Sequence, residues 1–367
     1  MTSAPKARPL RFEQCENRLC LAVTASVGSN GDLLITGDSA GLVEIVAVGQ
    51  NSFDVTEGGT LVASVDSVTR GIRIALGATN DVVTLDLANR SIKDLRVDLG
   101  TGDNSFTLSN GSVGGHLVIE AGDGIDTIIV ENDVSVSKNS TVELGAGDNI
   151  ATLSGDFAGQ FTVRGGSGLD TVTVDNDARI AKHAKFYLGG GDNVFSFDGD
   201  VSRHLFYDAD EGADVVSILA NARVGFHAKI DLGAGDNTFS LEGRINRDLM
   251  LSSGDGIDTI NILSTARIAK DAKLKLGNGD NTVTFEGDIK RSLQIKTGAG
   301  VDTVTFANSA KVDKDAKLML GAGDDSFSFD GRVGRNLTVN GENGNDTLTD
   351  LGGIAKDIKL SSVETLV

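Results

Sequence analysis

The chain has 367 residues, 40% of them hydrophobic, with 47 Gly, 2 Pro, no Trp and a formal net charge of −19. Apolar residues suffice for a core, and the scarcity of Pro excludes a Pro-rich disordered chain. The acid excess excludes nucleic acid as a partner and favours cations or basic surfaces, while the lack of any run of about 18 apolar residues excludes a transmembrane helix.

Residues 1–23 come first and contain Lys6, Arg8 and Arg11, without the apolar run of a secretory signal behind them. Cys15 and Cys20 lie here too, so neither disulfides nor a Cys-based metal site hold the body together. Residues 10–22 read LRFEQCENRLCLA, with Glu16, Arg18 and Leu21 at fixed spacing. This stretch resembles the LEPR-XLL segment that opens many surface and secreted repeat proteins of planctomycete-type bacteria. Asn17 stands in place of its Pro and Cys20 in place of a Leu. The resemblance implies an extracellular or cell-surface location, with residues 1–23 as an unstructured sorting or anchoring segment.

Residues 24–72 alternate in hydropathy without a clear turn motif and read as an atypical N-terminal β cap. From residue 73 to residue 350 the chain repeats. LGAGDN occurs at 144–149 and again at 232–237, and the motif's first Gly falls at Gly100, Gly145, Gly189, Gly233, Gly277 and Gly321. A second motif, GxGxDT-like, interleaves with it and puts its Asp at Asp81, Asp126, Asp170, Asp214, Asp258, Asp302 and Asp346. Both follow a period near 44 residues. Both also share the form G-x-G-x-Asx, so the unit is a half-repeat of about 22 residues, used twice per period. Residues 351–367, ending IKLSSVETLV, read as a C-terminal cap.

Within a half-repeat the apolar spacing is two, as in Phe239 and Leu241 or Ile260 and Ile262. Short alternating segments bounded by Gly and Asx predict strands, three to a coil. The expected fold is therefore all-β: a right-handed parallel β-helix of ~22-residue coils stacked ~4.8 Å apart. Thirteen G-x-G-x-Asx-type turns then make a rod on the order of 60 Å long. A β-propeller is the alternative, because a four-stranded blade takes about 40–45 residues. Blades do not normally divide into two similar halves, and the usual Trp signature is missing.

The Gly residues of G-x-G-x-Asx permit a tight corner, and Asp or Asn can hydrogen-bond nearby backbone. Stacked corners make an Asx ladder in which Asn alternates with Asp. That spacing moves like charges from ~5 to ~10 Å apart and halves their repulsion before screening. The stretch GGSGLDTVTV, residues 165–174, also resembles the hemolysin-type (RTX) calcium repeat GGxGxDxUx. That resemblance implies Ca²⁺ as a cofactor, with Asp126, Asp170, Asp258, Asp302 and Asp346 as its ligands. One corner departs from the pattern. Residues 208–214 read DADEGAD, and Asp208, Asp210, Glu211 and Asp214 form the densest acidic cluster in the chain. It reads either as a further Ca²⁺ site or as a solvated, degenerate corner.

His183 and His227 lie two coils apart, near 10 Å, too far to share a zinc ion. His116 and His204 occupy another phase of the period. No Ser-His-Asp pattern, nucleophile elbow or phosphate loop is visible. Lys182, Lys185, Lys229, Lys270, Lys273, Lys314 and Lys317 recur in the repeat and read as a charged, solubilising face. The expectation is a non-enzymatic structural or adhesive repeat protein, exported to the cell surface, whose partner there is a protein or a polysaccharide. The alternative is a carbohydrate-active β-helix, a polysaccharide lyase or glycosidase, with DADEGAD as the place for its carboxylates.

Overall fold

The computed structural model describes residues 23–39, 41–349 and 352–366, so the LEPR-XLL-like segment lies outside the described residues. Alternating side chains become strands wherever the sequence sets them two apart. Thr238–Leu241 is typical: Phe239 and Leu241 are fully buried, while Thr238 and Ser240 face outward. Each coil contributes three strand positions. The first builds a 16-stranded sheet from Thr24–Val27 to Asp357–Ser361. The second stacks strands such as Thr127–Val130, Ile150–Leu153 and Thr171–Val174. The third uses two-residue strands such as Asp156–Phe157 and Arg179–Ile180.

In the repeats each strand pairs in parallel with its counterpart one coil away, as Ala228 does with Leu205 and with Leu249. The half-repeat is thus the coil, and the fold is an all-β parallel β-solenoid of about 13 turns. A propeller is ruled out, because neighbouring strands come from successive coils and run parallel.

Phe106, Phe195, Phe239 and Phe327 lie in one interior column, each fully or almost fully buried. Their registered neighbours are Ile128, Val172, Val216, Ile260 and Val304. These rings therefore stand two or more coils apart and do not form a continuous stack. Phe195 packs across the core on Phe186 instead, at a centroid distance of 4.5 Å. Burying such a side chain stabilises by ~1.5–3 kcal/mol.

Among the described residues, antiparallel pairing is confined to the beginning of the fold. Thr24–Val27 runs antiparallel to Leu33–Gly37, and Leu42–Ala47, Phe53–Glu57 and Thr60–Val65 form an antiparallel meander. Leu33–Gly37 and Leu42–Ala47 already belong to the parallel ladder, through Ile72–Leu76 and Val82–Ile92. The meander covers the open edge that a parallel stack exposes. Residues 352–366 extend the parallel ladder through Asp357–Ser361 and Thr365–Leu366.

Candidate functional site

The G-x-G-x-Asx corner joins the first strand position to the second, and its Asx side chain turns inward. In Asn104, Asp126, Asn149, Asp170, Asn193, Asp214, Asn237, Asp258, Asn281, Asp302, Asp325 and Asp346 the side chain is at most 2% exposed. Each rung is linked to the next by a hydrogen bond. The Asn104 backbone N–H donates to Asp126 Oδ1 at 2.8 Å, and the Asp126 N–H donates to Asn149 Oδ1 at 2.9 Å. The same link recurs from Asp170 to Asn193, Asn193 to Asp214 and Asp214 to Asn237. It runs on through Asp258 and Asp302 to Asp346, whose own N–H donates to Glu364 Oε2 at 2.8 Å.

The second atom of each side chain separates the two kinds of rung. Asn149 Nδ2 donates to Gly147 O at 2.9 Å, and Asn237 Nδ2 donates to Gly235 O at 2.9 Å. Asp Oδ2 has nothing to donate, and it is buried without a hydrogen-bond partner in Asp126, Asp170, Asp214, Asp302, Asp325 and Asp346. Asp258 Oδ2 instead accepts a hydroxyl, that of Ser253, at 2.6 Å.

The residue five places earlier differs in step. It is Ala121, Gly165, Ala209, Ser253, Thr297 or Gly341 before the motif's Asp from Asp126 onward, and Leu99, Leu144, Leu188, Leu232 or Leu276 before an Asn, whereas Asp81 and Asp325 follow Leu76 and Leu320. Space decides this. A Cβ on Gly165 would stand 2.0 Å from Asp170 Oδ2, and one on Gly341 would stand 2.0 Å from Asp346 Oδ2. This covariation was visible in the sequence, though only knowledge of where Oδ2 points gives it meaning.

Burial dominates the electrostatics. It raises the carboxyls of Asp126, Asp170 and Asp214 to about 6, against the hydrogen bonds from the neighbouring Asn, which lower them. Asp258, Asp302 and Asp346 are raised for the same first reason. Asp325 stands where the motif calls for Asn and lies between Asp302 and Asp346. Burial and those two neighbours raise it to about 7.

The DADEGAD residues do not converge. Asp214 is an interior rung, while Asp208, Asp210 and Glu211 are exposed. Asp208 and Asp210 border a shallow cleft with Arg164 and Tyr187, in which the Arg164 guanidinium sits 5.0 Å from the Tyr187 ring centroid. Among the described residues, no three His, Cys, Asp or Glu side chains gather where they could hold a metal ion. A Ca²⁺ ion needs six to eight oxygens. At any one rung it would find a single free carboxylate oxygen and would draw the rest from backbone carbonyls and water.

His183 and His227 stand two coils apart, with His204 on the coil between them. His183, His204 and His227 occupy three consecutive coils, with ring centroids 5.0 Å apart at each step. Reading the period as 44 residues hid His204 between the other two. Burial and the nearby Arg203 lower the pKa of His183, and burial together with both flanking imidazoles lowers that of His204. His227 Nδ1 lies 2.9 Å from Asp248 Oδ2.

Fold and site together define a parallel β-helical repeat protein with an internal Asx ladder. No protein-family model and no curated protein sequence matches the chain. Among solved structures it is similar to a hyperactive, Ca²⁺-dependent, β-helical antifreeze protein from an Antarctic bacterium. That match has 16% identity and a TM-score of 0.40, covering 74% of this chain and 79% of the other. Residue roles do not transfer at that level of likeness.

Proposed function

We propose that the chain is a structural or adhesive repeat protein exported to the cell surface, and that it has no catalytic activity. The observation that carries this reading is the uniformity of the coil. Successive rungs are separated by 21 to 23 residues along the whole ladder, so no inserted loops wall off a groove. What remains is a rigid rod with flat faces, which suits a spacer or a docking surface. Labelling intact cells that express the full chain with an antibody, against lysed cells as control, tests the location. The chain is expected to label without lysis, and a variant lacking residues 1–23 is not. Signal from the full chain only after lysis would overturn the proposal.

Calcium belongs to this reading as a weak ligand of the Asp rungs, supported by their unpartnered Oδ2 atoms. Melting with and without millimolar Ca²⁺ is expected to show a higher Tm with the ion, and an unchanged Tm would remove calcium from the account. The cleft of Arg164, Tyr187, Asp208 and Asp210 supports the one enzymatic alternative, since lyases and glycosidases pair carboxylates with a basic or phenolic group. Cleavage of an acidic polysaccharide, abolished by Asp210→Ala, would establish that alternative over ours.

A further inference from the structure

The lysines of the repeat collect on the outward face of the 16-stranded sheet, on a molecule whose net charge is −19. Two outward columns run along that face. Up to Asp231 they include Asp98, Glu120, Glu143 and Asp208. From Leu249–Ser252 through Asn336–Asn340 neither column holds an acid, and Lys273, Lys275, Lys296 and Lys317 stand on it. A second row of cations borders the face, one per coil. The backbone bonds from Lys270 to Arg247, Arg291 to Lys270, Lys314 to Arg291 and Arg335 to Lys314 place these residues on successive rungs.

Most of this charge is unspent within the fold. Of the residues just named, only Arg291 makes an ion pair among the described residues, 3.5 Å from Asp271, and Arg247 lies over the Phe226 ring instead. The acids in the bordering corner are already engaged. Asp248, Asp271 and Asp315 accept the backbone N–H of Asp271, Ser292 and Asn336 respectively. Lys229 acts on Asp208 only at longer range. Lys229, Lys273 and Lys317 recur every second coil, about 10 Å apart along the rod. Between the first two, Met250 (40% exposed) and Ser252 floor a shallow groove that Lys275 also lines.

We propose that this strip docks an extended anionic polysaccharide lying along the rod axis. The occupant has to be anionic, because from Leu249 onward the sheet face holds no acid and its lysines make no ion pair among the described residues. It has to be linear, because the charges form rows one strand wide on a flat sheet without walls. Its charges have to recur, because the lysines do so at the two-coil interval. Apolar Met250 beside charged lysines suits a sugar ring, which offers an apolar face and anionic substituents. The inference deepens the adhesive reading by giving it a ligand class. It is tested on the purified full chain, where failure leaves the surface location untouched.

Binding of alginate, a carboxylate polymer, and dextran sulfate, a sulfate polymer, is measured by co-sedimentation at low and high salt, with neutral dextran as control. The sedimentation of the chain alone is recorded alongside. The triple variant Lys229→Gln, Lys273→Gln, Lys317→Gln removes charge from the strip. Arg223→Gln, Arg244→Gln, Arg332→Gln removes equal charge from exposed positions on another face. Melting curves confirm that both variants fold. The expected result is salt-sensitive binding of at least one polyanion, weakened about tenfold or more by the lysine variant and little changed by the arginine variant. The proposal is overturned if neither polyanion binds at low salt, or if both variants lose affinity equally. Salt-sensitive self-association of the rods without polymer binding would overturn it too, by assigning the face to a second copy.

Discussion

Asp126, Asp170 and Asp214 face one local conflict. Oδ1 is required to accept an N–H from the coil before, from the backbone of Asn104 and Asn193 for Asp126 and Asp214 and from the Asn149 side-chain amide for Asp170, while Oδ2 sits in the interior without a hydrogen-bond partner. Protonation resolves it, because a neutral carboxyl loses little on leaving water. The folded-state pKa of about 6 therefore lies above the unfolded value of 3.8. For an acid, that direction means stability fully present below pH 3.8 and lost as pH rises through about 6. At one unit per 1.36 kcal/mol, each residue costs the fold roughly 1–3 kcal/mol above pH 7. We expect Asp170→Asn to raise Tm at pH 7.5 and to leave it unchanged at pH 3.5. Asn suits the site, since the twin rungs already use it to reach a Gly carbonyl. Asp325→Asn is expected to stabilise more at neutral pH, because it also separates Asp302 from Asp346. His183 and His204 act oppositely: their pKa is lowered, so their contribution is lost as pH falls below about 6.5. Comparing each variant with the parent across pH cancels that part. A variant that melts with the parent at every pH would refute the buried-acid account.

At the scale of the coil, the corner is fixed by backbone crowding. Gly145 has φ +80°, and a Cβ there would lie 1.5 Å from Gly122 O in the coil before. Gly145→Ala combines a disfavoured conformation, roughly 1–3 kcal/mol, with displacement of a neighbouring coil. It is expected to lower Tm more than Ala146→Gly at the adjacent place, with CD melts as the check. Much of this scale was legible in the sequence. Alternation gave the strands, G-x-G-x-Asx gave the corners, and the two interleaved motifs gave the coil as half the period. Two things were not. Motif spacing says nothing about the direction a side chain takes, so the Asp residues resembling calcium ligands could not be recognised as interior rungs. Nor could a count in 44-residue steps show that His204 lies between His183 and His227.

The molecule as a whole is a one-dimensional stack whose stability is close to a sum over coils and their contacts. Its translational unit is nonetheless two coils from Asn104 to Asp302, where Asn and Asp rungs alternate and each Asp follows a small residue five places earlier, with Asp325 breaking the alternation beyond. Deleting residues 233–276 joins Leu232 to Gly277 and keeps the alternation. We expect a folded, shorter rod with Tm within about 5 °C of the parent. Deleting only residues 233–253 sets Asp214 and Asp258 on adjacent rungs and puts Leu232 where Ser253 served Asp258. That smaller deletion is expected to destabilise more than the larger one. Equal melting of the two products would show that the alternation has no energetic weight.

The ladder also has a direction. The rungs give their N–H forward, to a side chain 21 to 23 residues later in the chain, and the last, Asp346, to Glu364. During synthesis or passage through a membrane pore, the amino end emerges first. The newest coil is then always one step short of completion, its donor waiting for an acceptor not yet delivered. Assembly of this rod is accordingly a ratchet set by the order of emergence, in which each arriving carboxylate or amide locks the coil before it.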